Sequence, residues 1–271
     1  YVFCWLGNTN LILSIIKLIE DKMNLEHDIQ EAGVQMILLV EDSIRFYSSI
    51  LPNLYNYILE QSKNFSQEAL NRHAATMRMR GRPKVVLART YEEAQKLYDK
   101  YSDNTLGVIS DARFPLKSAA KAFGNEVMPE EKPKHRTDTF GREKCPDAGL
   151  QLFRYIRKND PFVPLIIESS ESENRAKAEA EGFRFVDKNS KKMSVDLRRL
   201  MEEHMGFGDF IFRDPKTHEE IMRIHSLKEL QDNIFNIPND SMLYHISRNH
   251  MSRWLCARAI FPVSAFLKHV T

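Results

Sequence analysis

A doubly wound α/β domain is predicted, with a five-stranded parallel sheet, helices on both faces and a small α+β extension at the C-terminal end. Three observations carry this reading. Short apolar runs recur along residues 34–205, stretches with helical periodicity alternate with them, and four of the runs end in side chains able to do chemistry. Parallel neighbours need a crossover connection, and such crossovers are right-handed in nearly all proteins.

Val34 to Val40 (VQMILLV) is almost continuously apolar, as expected of a strand covered on both faces. Ile44, Tyr47, Leu51, Leu54, Tyr55 and Ile58 then recur at three and four residue steps, which gives one buried helix face, with Pro52 expected to bend it. Polar Gln61 to Pro83 reads as a loop. Lys84 to Ala88 (KVVLA) is the second strand, and Thr90 with Glu93 forms a capping box that opens the next helix. Leu106 to Ile109 is the third strand and runs into Ser110 and Asp111. A helix over Gly149 to Lys158, a strand over Phe162 to Ile167, a helix over Ser172 to Glu181, a strand over Phe183 to Val186 and a helix ending near Gly206 complete the alternation.

Lys117 to Lys144 interrupts the pattern. It is polar and exceeds the roughly 12 to 15 residues beyond which a structureless loop is unusual, so it reads as a lid or a disordered insert. Beyond Gly206, Phe207 to Arg213 and Glu220 to Ile224 flank a turn as a hairpin, and Ser226 with Glu229 caps a helix. Helices over Ser241 to Arg258 and Ala259 to Val270 follow. Before the domain, Tyr1 to Leu6 reads as a strand and Leu11 to Asn24 as a helix. The expected division is 1–33, 34–205 and 206–271, and a start at Tyr1 without a leader pattern reads as an excerpt of a longer protein.

The 271 residues are 42% hydrophobic, enough for a sizeable core, and 39 basic against 37 acidic side chains leave a net charge of +2. That balance implies neither nucleic acid nor membrane as a partner. The basic stretch Arg72, Arg78, Arg80, Arg82, Lys84 lacks interleaved aromatics and reads as a solvated loop. No apolar run approaches the roughly 20 residues of a membrane span. Cys4, Cys145 and Cys256 form no CxxC pair, so neither a zinc site nor a disulfide framework is indicated, and a reducing cytoplasm is the expected compartment. His245 and Asn249 sit one turn apart on the expected helix, near Arg248 and Arg253, where a phosphate-binding role and a structural polar face are both open.

In open parallel sheets, functional groups gather beyond the carboxyl ends of the strands. Here those ends carry Glu41 and Asp42, then Asp111, then Ser169 and Ser170, then Asp187 and Lys188. Three carboxylates brought together repel one another unless a cation intervenes, and an all-oxygen donor set suits a hard ion such as Mg²⁺. Beside such an ion a carboxylate can attack phosphorus, with Lys188 pairing with the transferred phosphoryl group and Ser169 donating to it.

The segments ILLVEDS (37–43), SDARFP (110–115), PLIIESS (164–170) and FVDKNS (185–190) resemble, in order, the motifs of response-regulator receiver domains. The resemblance covers about 34–204. It implies a phosphorelay receiver, a two-component phosphoprotein with Glu41 and Asp42 as the acidic pair and Asp111 as phospho-acceptor. Mg²⁺ would be held by Glu41, Asp42, Asp111 and the Arg113 carbonyl. Ser169 would be the switch hydroxyl, Phe185 the aromatic switch and Lys188 the family's lysine. Implied partners are a histidine kinase or other phosphodonor and an output domain, and a homodimer is compatible with it. The sequence departs from the pattern at Asn189, where the family has proline, at the 117–144 insert, and in the distance from the first helix to the second strand.

Residues 1–24 resemble the last strand and helix of a preceding receiver-like unit. GFGDFIFRDP with YHISRNHMSRWLCAR resembles the connector of multidomain proteins in which receiver modules precede a phosphoenolpyruvate synthase or pyruvate phosphate dikinase type nucleotide-binding domain. On that reading the fragment is not a stand-alone enzyme, while the whole protein is a phosphotransferase. The rival readings are a degenerate receiver serving as a docking or dimerising scaffold, and an aspartate-nucleophile phosphatase. Arg113 stands where those phosphatases carry a second acid.

Overall fold

The computed structural model describes residues 1–117, 137, 138 and 140–268. In chain order these form α1 (Asn10–Ala32), β1 (Met36–Val40), α2 (Ile44–Gln67), α3 (Arg72–Arg80), β2 (Lys84–Ala88), α4 (Tyr91–Tyr101), β3 (Thr105–Asp111), β4 (Phe114–Pro115) and β5 (Lys144–Cys145). They continue with α5 (Ala148–Asn159), β6 (Leu165–Ser169), α6 (Glu173–Ala180), β7 (Arg184–Asp187), α7 (Met193–His204), β8 (Phe210–Arg213) and β9 (Glu220–Ile224). The last helices are α8 (Leu227–Asn233), α9 (Asn239–Ile246), α10 (His250–Ala257) and α11 (Phe261–Lys268). The chain divides into two compact units. One comprises Tyr1–Lys22, Met36–Leu54 and Val85–Ser194, the other Met23–Gln35, Tyr55–Lys84 and Val195–Thr271.

The first unit is built on a parallel five-stranded sheet in the order β2-β1-β3-β6-β7. Counted along the chain this is 2-1-3-4-5, the flavodoxin-like doubly wound order, so the predicted fold class is present. β1, β2 and β6 are buried at every residue, which is why their sequences lack alternation. Register sets the site: Val40 pairs with Ser110, Asp111 with Glu168, and Ser169 with Asp187, so the carboxyl ends of β1, β3, β6 and β7 finish level with one another. The capping box opens α4 as expected, Thr90 accepting from the Glu93 N–H and Glu93 from the Arg89 N–H.

Several expectations need correction. Tyr1 to Leu6 forms no strand. It runs without regular structure, its Cys4 N–H donating to Ser48 Oγ and the Phe3 ring meeting Tyr47 edge-on. Gln61 to Pro83 is largely helical. α2 continues past Pro52 to Gln67, and α3 is opened by Asn71, whose side chain accepts from the Ala74 N–H. This second helix fills the long interval before β2. The basic stretch is correspondingly more structural than a solvated loop: Arg78 donates to the Phe65 carbonyl at 2.7 Å, Arg82 lies over Tyr55 and Lys84 pairs with Asp28 at 2.8 Å. The fourth strand starts later than expected, because Asp160 accepts from the N–H groups of Phe162 and Val163 and holds 160–163 as a turn. Of the 117–144 insert, 118–136 and 139 lie outside the described residues, as does Val270.

In the second unit the expected hairpin is present as β8 and β9, paired Phe210 to Ile224. Phe212 and Trp254 are among its buried core residues, and Trp254 donates from Nε1 to the Gly208 carbonyl at 2.9 Å. The single helix expected over 241–258 is two, because Asn249 adopts a left-handed backbone at φ 57° between α9 and α10. His245 and Asn249 therefore do not share a helix face. His245 Nε2 accepts from the Arg213 N–H, so its proton sits on Nδ1, 3.0 Å from His250 Nδ1, which accepts it. Burial, with Arg213 and Arg248 nearby, lowers His245 to about 4, and both rings are neutral at pH 7.

Candidate metal and phosphoryl site

The level strand ends bring Glu41, Asp42 and Asp111 together, with one oxygen of each within 4.8 Å of the others. Glu41 and Asp42 are fully buried, and Asp111 is 13% exposed and so open to a reactant. Two of the three carboxylates are held by neighbouring backbone. Glu41 accepts from the Ser43 N–H at 2.9 Å, and Asp111 Oδ1 from the Ala112 N–H at 2.8 Å. Lys188, at the end of β7, bridges two of them, with Nζ 2.5 Å from Glu41 Oε2 and 2.9 Å from Asp111 Oδ1. Its ammonium also lies 4.0 Å from the centre of the Phe46 ring. Lys188 is thus drawn into the acidic pocket.

Burial raises the Glu41 carboxyl, with Lys188 opposing and Asp111 and Asp42 adding to the shift. Burial likewise raises Asp42, opposed by Lys144. For Lys188 burial acts to lower the ammonium, but Asp111, Glu41 and Glu168 outweigh it and hold the group above its ordinary value. The donors are all oxygens, and neither oxygen of Asp42 accepts a hydrogen bond of regular geometry from the described residues. A hard divalent cation fits this set, with Glu41, Asp42 and Asp111 able to hold it.

The remaining predicted residues surround the cluster by register. Ser169 Oγ accepts from Asn174 Nδ2 at 2.9 Å and from the Glu171 N–H at 3.1 Å, which uses its lone pairs and leaves its O–H as a donor. Arg113 follows Asp111 by two residues, and its guanidinium pairs with Glu171 at 3.0 Å. Phe185 is half-buried on β7, one residue before Val186, with Arg175 4.6 Å from its ring centre. Asn189 donates from Nδ2 to the Ser170 carbonyl and from its N–H to Asp187. It ties the loop after β7 to the end of β6.

Three residues escaped the sequence reading. Gly149, in the first turn of α5, donates to the Ala112 carbonyl at 3.1 Å and lies so near Asp111 that a Cβ would stand 2.3 Å from the Asp111 carbonyl oxygen. Lys144 reaches Asp42, 2.6 Å from Oδ2. Glu168, paired with Asp111 across β3 and β6, is completely buried, and neither carboxylate oxygen has a hydrogen-bond partner among the described residues. Its signal was legible as a lone acid inside the apolar run LIIES.

Burial raises Glu168 to about 7, Lys188 opposing and Asp111 adding. The fold therefore prefers the neutral acid. The stability this contributes is complete below its ordinary value of 4.5 and is lost as pH rises through about 7. The span corresponds to roughly 3 kcal/mol. Glu168→Gln is expected to remove this pH dependence and to raise Tm at pH 8 more than at pH 5, as read by thermal melts across that range. Equal shifts at both pH values would contradict the assignment.

Fold and site together define a doubly wound α/β protein with an acidic cluster and a lysine at the carboxyl edge of its sheet. No protein-family model and no curated protein matches the chain. Among solved structures it is similar to the crystal structure of a response regulator receiver domain protein from Clostridium thermocellum, with 17% identity and a TM-score of 0.36 over 63% of this chain and 94% of that one. No helix among the described residues is long and apolar enough to cross a membrane.

Proposed function

We propose that residues 34–205 are a phospho-accepting receiver module in which Asp111 takes a phosphoryl group with the help of Mg²⁺. The observation that carries this reading is the meeting of Glu41, Asp42 and Asp111 within 4.8 Å, with Lys188 bridging Glu41 and Asp111. Both close contacts of Asp111 fall on Oδ1, which leaves Oδ2 to attack phosphorus. The new bond joins Oδ2 to phosphorus, and the bond from phosphorus to the donor breaks with its electron pair leaving on the donor. When bound by Glu41, Asp42, Asp111 and the Arg113 carbonyl, Mg²⁺ supplies charge neutralisation for the phosphoryl oxygens. Lys188 then exchanges a carboxylate oxygen for a phosphoryl oxygen, and Ser169 donates its O–H to another. Movement of Ser169 and rearrangement of Phe185 carry the state change outward.

The donor in this reading is a histidine kinase or a small acyl phosphate. Residues 206–271 connect the module to a linked output domain, in the family resemblance a phosphoenolpyruvate synthase type nucleotide-binding domain. Incubation with a small acyl phosphate and Mg²⁺ is expected to add the mass of one phosphoryl group, and a chelator is expected to prevent it. A chain that gains no mass under either condition contradicts the proposal. The ion pair between Lys144 and Asp42 favours one rival, a scaffold that is never phosphorylated, and the same experiment separates the two.

A further inference from the structure

β5 returns to the acceptor loop as the partner of β4, with Phe114 opposite Cys145 and Pro115 opposite Lys144. This short antiparallel pair carries Lys144 to the acidic cluster, where Nζ lies 2.6 Å from Asp42 Oδ2, with the lysine side chain 16% and the Asp42 side chain 0% exposed. Lys188 already serves Glu41 and Asp111, so each of the three clustered carboxylates has an ammonium group beside it. The two lysines differ in origin. Lys188 comes from the sheet itself, whereas Lys144 comes from the hairpin that closes the insert.

A divalent ion held by Asp42 sits roughly 2.1 Å from the carboxylate oxygen. An ammonium nitrogen 2.6 Å from Oδ2 occupies much of the same space and repels the ion across a pocket of low dielectric. The two cations therefore compete for Asp42, the ammonium group raising the cost of bringing the ion in. Because Asp42 is fully buried, its charge must stay compensated, and Lys144 is the cation that compensates it in the structure described. Resting on the receiver reading above, we propose that Lys144 is a resident cation of the Mg²⁺ site, which the metal must displace from Asp42, so that this residue sets the metal affinity of the site.

Mg²⁺ titrated calorimetrically into the full chain and into Lys144→Ala and Lys144→Met tests this. Methionine retains the apolar stem of the lysine without its charge, so it serves if the alanine variant packs poorly. Both variants are expected to bind Mg²⁺ at least about tenfold more tightly than the wild type, as the removal of a competing charge at contact distance should produce. Lys144→Arg, which keeps the charge, is expected to stay weak. Equal affinities in the wild type, Lys144→Ala and Lys144→Met would overturn the role of Lys144 while leaving the metal site standing. Absence of Mg²⁺ binding in every form would instead overturn the receiver reading itself, and this inference with it.

Discussion

Asp111→Asn is expected to reduce phosphoryl uptake to the level of the chelator-treated wild type while leaving the fold intact. Asparagine keeps the size of the side chain and its acceptor oxygen for the Ala112 N–H, so the end of β3 retains its local geometry. What disappears is the anionic nucleophile and one of the two carboxylates that hold Lys188. The variant should give a well-formed thermal transition and no phosphoryl mass. Uptake near the wild-type level would place the acceptor elsewhere, whatever the geometry of the acidic pocket.

Gly149→Ala should show the largest structural effect. A Cβ there would meet the Asp111 carbonyl oxygen at 2.3 Å, with the Ala112 Cα and Ile167 Cδ1 each at 3.1 Å. The first obstacle is backbone of a central strand and cannot rotate away, so β3 and α5 must separate. The expected cost is about 3 kcal/mol, or about 6 to 12 °C in Tm. Because the displaced atoms belong to Asp111, the proposed acceptor, phosphoryl uptake should fall as well, even below the transition temperature. A melting temperature within a degree of wild type would show that α5 does not brace the acceptor.

Much of this site was readable before any coordinates, because it lies at strand ends. ILLV, GVIS, LII and FV are apolar runs of the kind a doubly covered parallel strand shows, and in such a sheet the residues just after them lie at the carboxyl edge. Glu41, Asp42, Asp111 and Lys188 were found for that reason. Lys144 was not, because its position depends on a hairpin closing across an insert whose polar sequence carries no periodicity. Glu168 was passed over because the expected strand, Phe162 to Ile167, stops one residue short of it, whereas β6 continues to Ser169. The helix over 72–80 was missed because its residues are mostly polar and none is buried, so no amphipathic stripe announced it. The break at Asn249 depends on one left-handed residue between two helical periods, which periodicity averages away.

The central claim is that three carboxylates from two strand ends form one divalent-cation site beside the attacking oxygen. Titrating Mg²⁺ into the wild type and into Asp42→Asn, with the heat of binding as readout, tests it most directly. Saturable one-site binding in the wild type, lost or at least about tenfold weaker in Asp42→Asn, is the expected result. Identical titrations for the two proteins would contradict it.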